Sequence, residues 1–159
     1  MPHKKVVFMG TPKFSVSILE AIAKSSYEVS CVYTQPPKKS NRGQKLNISP
    51  VHKCAENLKL IIRNPKNLNS KEEFDFIKKI NPDIVIVVAY GQLISKKILN
   101  IPKEGFINIH ASLLPKWRGA APIQRSIMNS DTETGISIMK IVEELDAGPV
   151  MKKIKIGID

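Results

Sequence analysis

An unbroken apolar run near the middle of the chain, Ile84-Val85-Ile86-Val87-Val88-Ala89-Tyr90, narrows the choice of fold more than any other segment. Its β-branched side chains are stiff at χ1, which suits an extended backbone better than a helix. A strand with one solvated face alternates apolar and polar residues. This run does not alternate, so it belongs to a strand buried on both faces, as in a parallel sheet covered by helices. A membrane span needs roughly 18 apolar residues, and no run in the chain approaches that length.

The flanking segments fit the same plan. Lys4–Met9 reads as a strand that breaks at Gly10-Thr11-Pro12. Thr11 is the expected N-cap and Pro12 the first position of a helix carrying Phe14, Ile18, Ala21 and Ile22 at helical spacing. Tyr27–Tyr33 alternates as a second strand. Val51–Leu58 reads as a helix, Leu60–Arg63 as a strand, and Ser70-Lys71-Glu72-Glu73 as a capping box opening a helix that runs to Ile80. Beyond the buried strand the pattern predicts a short helix at Ser95–Leu99, a strand at Gly105–His110 and a helix at Pro122–Asn129. Two closing strands follow, Gly135–Val142 and Val150–Ile158. This alternation is the signature of an α/β fold: an open, mostly parallel twisted sheet with flanking helices, its last strands open to antiparallel pairing. The 159 residues fit one domain with a single core. The stretch that does not fit is Thr34–Ser49, which has no regular period and carries Lys38, Lys39, Arg42 and Lys45 with no acidic residue.

Charge and composition exclude several functions and leave others open. Lys plus Arg number 25 against 14 acidic residues, a formal charge of 25 − 14 = +11 that attracts polyanions. Most of the excess is lysine, so a nucleic-acid partner and a merely well-solvated surface both account for it. Cys31 and Cys54 show no metal-ligand spacing and read as buried, inert thiols of a reducing compartment. The N-terminus has no hydrophobic signal segment, so a cytoplasmic chain is expected. The turn after the first strand, Gly10-Thr11-Pro12-Lys13-Phe14, is neither a dinucleotide fingerprint nor a P-loop, and the absence of the fingerprint argues against a dehydrogenase.

In open α/β sheets, ligands bind outside the carboxyl ends of the strands. There the strand 105–110 places Asn108 and His110, at i and i+2, on the same face. An amide donor beside an imidazole suits an oxygen that gains negative charge during acyl transfer. A hydrogen-bonded polar pair closing a strand is the alternative reading of these two residues. The loop Ala111–Pro122 that follows exposes the only tryptophan, Trp117, in a stretch too broken for a regular element. Asp146, in the turn Glu143–Pro149, is either a carboxylate of the same site or a turn residue of an Asp-x-Gly-Pro sequence.

Taken together, Asn108-Ile109-His110-Ala111-Ser112-Leu113-Leu114-Pro115, Glu133-Thr134-Gly135 and Leu145-Asp146-Ala147-Gly148 form a set that resembles the folate-dependent formyltransferases. Phe8–Phe14, Thr34-Gln35-Pro36-Pro37, Asn41–Leu46 and Trp117–Gln124 are similar to the branch of that family that acts on methionyl-tRNA. The resemblance covers essentially the whole chain. It implies a Rossmann-like formyltransferase fold and transfer of formyl from 10-formyltetrahydrofolate to the amino group of methionyl initiator tRNA, in support of translation initiation. No metal is implied, and no covalent nucleophile: Ser112 lacks the strand–turn–helix elbow of one.

Under the resemblance, Asn108 and His110 stabilise the oxyanion, and Asp146 orients His110 and helps move the amine proton. Ser112, Leu113, Leu114 and Pro115 line the folate site, with Tyr90–Leu93 and Val142–Asp146 as candidates near the pterin. Phe14 either walls the methionine side chain or is a core residue at a helix start, and Arg42 meets the tRNA acceptor end. The partners implied are initiator methionyl-tRNA and folate, with no membrane, and the chain is expected to be a monomer. The family continues into the rest of its catalytic domain and a C-terminal β-barrel. Residues 1–159 are therefore expected to be a truncated catalytic domain with the barrel absent. Two rivals stand beside this reading. One is a formyltransferase acting on glycinamide ribonucleotide, where a glycine-rich phosphate loop is expected after the first strand, or on an amino sugar. The other is a non-catalytic tRNA-binding module, which leaves Asn108, His110 and Asp146 without a shared purpose.

Overall fold

A computed structural model describes residues 2–40, 43 and 45–159. The chain opens with β1 (Lys5–Gly10), α1 (Lys13–Ala23) and β2 (Glu28–Tyr33), followed by a small hairpin, β3 (Lys38–Ser40) and β4 (Lys45–Asn47). Next come α2 (Pro50–Asn57), β5 (Ile62–Arg63), α3 (Lys71–Ile80) and β6 (Ile84–Val88), the core of the apolar run. The rest is α4 (Lys96–Leu99), β7 (Phe106–His110), α5 (Pro122–Met128), β8 (Glu133–Lys140) and β9 (Val150–Gly157). The main sheet has the order β5-β2-β1-β6-β7-β8-β9. It is parallel from β5 through β7, and antiparallel where β8 joins β7 and β9 joins β8. The expected α/β architecture is therefore present, with the last strands antiparallel.

Side-chain alternation splits the core between the two faces of the sheet. Val7 and Met9 of β1, Cys31 and Tyr33 of β2, and Val85 and Val87 of β6 pack with Ile77 of α3 and Ile98 of α4 on one face. Phe8, Val32 and Val88 pack with Leu19 of α1 and with Val51, Cys54 and Ala55 of α2 on the other. β6 is thus covered from both sides, which is why it needs no polar alternation. Both cysteines are buried and unpaired, and burial pushes the Cys31 thiol up to about 12. Among the described residues no helix is long and apolar enough to cross a membrane.

Local details depart from the sequence reading in three places. Thr11 is not an N-cap: its Oγ1 donates to the Tyr90 carbonyl at 2.8 Å, and Pro12 holds the cap position of α1 with no side-chain hydrogen bond. Ser70 does accept from Glu73 N at 3.3 Å. The Glu73 carboxylate turns inward instead of back, taking Tyr33 Oη–H at 2.7 Å and Arg63 at 2.7 and 2.8 Å. Finally, the segment 34–49 carries the β3–β4 hairpin rather than no regular structure, its base closed by a Thr34–Ser49 hydroxyl pair at 2.5 Å. Strands of three residues whose described side chains are exposed bury nothing, so they leave no period to read.

From β1 the chain builds outward to β2 and β5, then returns across the sheet to β6 and β7. The strand order therefore reverses between β1 and β6. That switch point opens a crevice at the carboxyl ends of the strands, lined by Asn108, His110 and Asp146.

Candidate active site

A cavity of about 660 Å³ lies over the ends of β6 and β7, walled by the start of α1, the loops after these strands, the start of α5 and the turn after β8. The loop after β6 leaves through two left-handed residues, Ala89 (φ 50°) and Gly91 (φ 91°). Side chains from neighbouring strand ends hold it there. Gln35 Nε2 donates to the Gly91 carbonyl at 2.8 Å, Gln92 Nε2 to the Pro65 carbonyl at 2.9 Å, and Asn69 Nδ2 to the Leu93 carbonyl at 2.9 Å. A Cβ on Gly91 would sit 2.9 Å from Gln35 Nε2, so this tie needs glycine for space as well as for φ.

β7 delivers Asn108 and His110 to the cavity from one face, as the i, i+2 spacing requires. Asn108 lies beside Val87 of β6 and Met139 of β8, and its amide has no hydrogen-bond partner among the described residues. It is free to donate to a ligand. The His110 side chain is 8% exposed, and its Nε2 lies 2.9 Å from the Trp117 carbonyl. A carbonyl only accepts, so Nε2 carries the hydrogen and the neutral ring is the Nε2–H tautomer. Nδ1 then faces Asp146 Oδ2 across 4.0 Å, longer than a hydrogen bond and within the reach of an ion pair.

Asp146 is also 8% exposed, and its Oδ2 accepts the Gly119 N–H at 2.6 Å. That bond aims the carboxylate. Asp146 reaches the site because the turn folds tightly back on β8: a Cβ at Gly148 would lie 1.8 Å from the Lys140 carbonyl oxygen, so no other residue fits there. Asn108, His110 and Asp146 all line the one cavity.

The loop between β7 and α5 supplies both fixing contacts, the Trp117 carbonyl and the Gly119 amide. Trp117 sits at φ 57°, a left-handed conformation that costs a non-glycine residue roughly 1–2 kcal/mol. Its indole Nε1–H donates to Asp131 Oδ2 at 2.7 Å, while Lys116 Nζ meets Asp131 Oδ1 at 2.8 Å. The Lys116 and Asn129 hydrogen bonds, with that of Trp117, hold the Asp131 carboxyl down at about 2.

The remaining expected site residues fall in different places. Ser112, Leu113, Leu114 and Pro115 do not line the cavity. Ser112 is buried, donates to the Lys116 carbonyl at 2.6 Å and has no base beside it. Its carbonyl accepts from Ser137 Oγ at 2.7 Å, the hydroxyl that in turn takes the Leu114 N–H at 3.0 Å. Leu113 packs over Gly135, and Pro115 is exposed. Residues 90–93 and 142–146 do line the cavity. Phe14 lines it as well and also packs against the core. Arg42 lies outside the described residues. Gly119, Trp117 and Asp131 were not candidates from sequence, because two of them act through backbone atoms and the third through a contact 14 residues away. Among the described residues, no three His, Cys, Asp or Glu side chains group as metal ligands.

The sequence and the fold both match known proteins. A family model described as formyl transferase matches residues 4–159. The methionyl-tRNA formyltransferase of Pelagibacter ubique (strain HTCC1062) is 62% identical over 148 residues, covering 92% of this chain and 48% of that protein. The methionyl-tRNA formyltransferase of Brucella ovis is 54% identical over 155 residues, covering 97% of this chain and 51% of that protein. The chain thus spans about half the length of the curated relatives it matches. Among solved structures, phosphoribosylglycinamide formyltransferase from Bacillus halodurans superposes with a TM-score of 0.77 at 24% identity, covering 98% of this chain and 81% of that one. A formyltetrahydrofolate deformylase from Pseudomonas syringae gives 0.74 at 20% identity, covering 99% and 52%. At such identities the structural matches speak to the fold alone.

Proposed function

This chain belongs to the formyl transferase family, and on that basis we propose that it transfers a formyl group from 10-formyltetrahydrofolate to the amino group of methionyl initiator tRNA. Residues 1–159 are read as part of its catalytic domain, working in the cytoplasm. The observation that carries the reading is the convergence of Asn108, His110 and Asp146 on one cavity at the strand-order reversal.

The folate donor supplies the formyl group. The cavity's apolar wall and the backbone of residues 90–93 and 142–146 suit a flat heterocycle with polar edges. Ser112, Leu113, Leu114 and Pro115 serve the donor by fixing the loop that carries Trp117 and Gly119, with exposed Pro115 available to any part of the folate that extends past the cavity.

The chain's own groups divide the work. The unpartnered Asn108 amide donates to the formyl oxygen as that oxygen gains negative charge, and His110, protonated on Nδ1, adds a second donor. Asp146, aimed by Gly119, stabilises the imidazolium, takes the proton released by the attacking amine, directly or through a water, and passes it to N10 of the folate as the bond from N10 to the formyl carbon breaks and tetrahydrofolate leaves. Phe14, in the first turn of α1, packs against the methionine side chain.

The β3–β4 hairpin, with Lys38, Lys39 and Lys45 and with Arg42 between its strands in sequence, contacts the tRNA backbone. This is the feature that favours a tRNA acceptor over a small amine. The test is a competition among acceptors: the full chain is given the donor with methionyl-tRNA, glycinamide ribonucleotide or an amino sugar. Formylation of methionyl-tRNA is the expected result, and formylation of either small amine alone refutes the reading.

A further inference from the structure

We propose that Asp131 is a positioning residue for His110, acting through Trp117. The proposal rests on the functional reading above for its effect on turnover, but its structural part stands on three contacts in series. Asp131 Oδ2 accepts the indole N–H of Trp117 at 2.7 Å. The carbonyl of that same residue accepts Nε2–H of His110 at 2.9 Å. The imidazole then presents Nδ1 to Asp146 at 4.0 Å. A carboxylate in the turn between α5 and β8 thereby fixes which ring nitrogen of the histidine holds its hydrogen.

Trp117 needs such a hold. Its backbone is left-handed (φ 57°), a conformation a bulky residue keeps only when its surroundings over-determine it. This conformation, not the indole itself, turns the carbonyl toward His110. Asp131 grips the segment at two adjacent residues, with Lys116 Nζ on Oδ1 at 2.8 Å and the indole on Oδ2. Asn129 Nδ2 also donates to Oδ1 at 2.8 Å, and the Asp131 N–H donates to the Ser126 carbonyl at 3.0 Å, so the carboxylate is itself held in place. Its side chain is only 7% exposed. Asp131 does not line the cavity, and so it acts on the chemistry only through its neighbours.

The experiment compares wild type, Asp131→Ala, Asp131→Asn and Trp117→Phe in the full chain. Nitrogen-15 NMR of the imidazoles, of which there are three in the chain, distinguishes protonated from unprotonated ring nitrogens in the neutral state. Emission from Trp117, the only tryptophan, reports the loop directly. In Asp131→Ala, His110 should lose its single Nε2–H tautomer and Trp117 emission should move to the red. Turnover should fall about tenfold while binding of 5-formyltetrahydrofolate, a stable donor analogue, changes less than about twofold. Asp131→Asn keeps an acceptor for the indole and should recover most of the tautomer. Trp117→Phe removes the N–H donor while keeping an aromatic ring, and should reproduce the tautomer loss even if Asp131→Ala fails to fold. A wild-type tautomer at His110 in both Asp131→Ala and Trp117→Phe, or in Trp117→Phe alone where the alanine variant does not fold, overturns the proposal and leaves Asp131 a loop clamp. If the wild type transfers no formyl group, the functional reading fails, and the NMR result still decides the role of Asp131.

Discussion

Asp146→Asn separates charge from shape in the cavity. The amide oxygen can keep the Gly119 N–H bond, now 2.6 Å, and asparagine tolerates the left-handed backbone that residue 146 adopts (φ 49°). Folding stability should therefore change by less than the roughly 1–3 kcal/mol that orphaning the Gly119 N–H would cost. What the variant loses is a negative charge 4.0 Å from His110 Nδ1, with both side chains 8% exposed. At that separation and an effective dielectric of about 20, the attraction to an imidazolium is roughly 4 kcal/mol. If that charge acts when the amine proton is released, its loss lowers turnover by about three orders of magnitude, taking 1.36 kcal/mol per tenfold. Single-turnover formylation of methionyl-tRNA isolates this step, with Trp117 fluorescence reporting donor binding. Asp146→Ala, which also orphans the Gly119 N–H, should lose a further 1–3 kcal/mol or so of stability. Turnover of Asp146→Asn within about tenfold of wild type, at unchanged donor affinity, would refute the electrostatic role.

Three further outcomes follow from other contacts. Glu73→Ala leaves Arg63 and the Tyr33 hydroxyl without their shared partner, so urea unfolding should show a loss of about 3–5 kcal/mol, with Glu73→Gln losing less. Asp131, held at about 2 against an ordinary 3.8 by Lys116, Asn129 and Trp117, contributes stability that is fully present above 3.8 and lost as pH falls through about 2. Trp117 emission should shift over that interval in wild type but not in Asp131→Asn. Replacing Lys38, Lys39, Arg42 and Lys45 by alanine should flatten the salt dependence of tRNA binding, by up to about 0.9 in log–log slope for each lost phosphate contact, and leave donor binding unchanged. Equal slopes in a salt titration would remove the hairpin from the tRNA interface.

The difference between what was legible in the sequence and what was not has a physical origin. β6 could be read because its burial on both faces writes a continuous apolar run, and α3 because Ser70 and the apolar spacing mark its start and inner face. Asn108 and His110 could be paired because strand geometry alone puts i and i+2 on one side. Asp146 could be named from the family pattern, but its place beside His110 depends on a turn that only Gly148 permits and on the backbone amide of Gly119. Backbone donors and acceptors are the same for every residue type, so no composition or period announces the Trp117 carbonyl or the Gly119 N–H. The same holds for Glu73, which satisfies the capping-box pattern and yet spends its carboxylate on Arg63 and Tyr33, because a desolvated charge finds its partner in the interior before it turns to a solvated helix end. Asn108 and His110 come from a strand end, where pattern and position agree. The groups that fix their protonation state and direction come from turns, where residue identity says little and the path of the backbone decides.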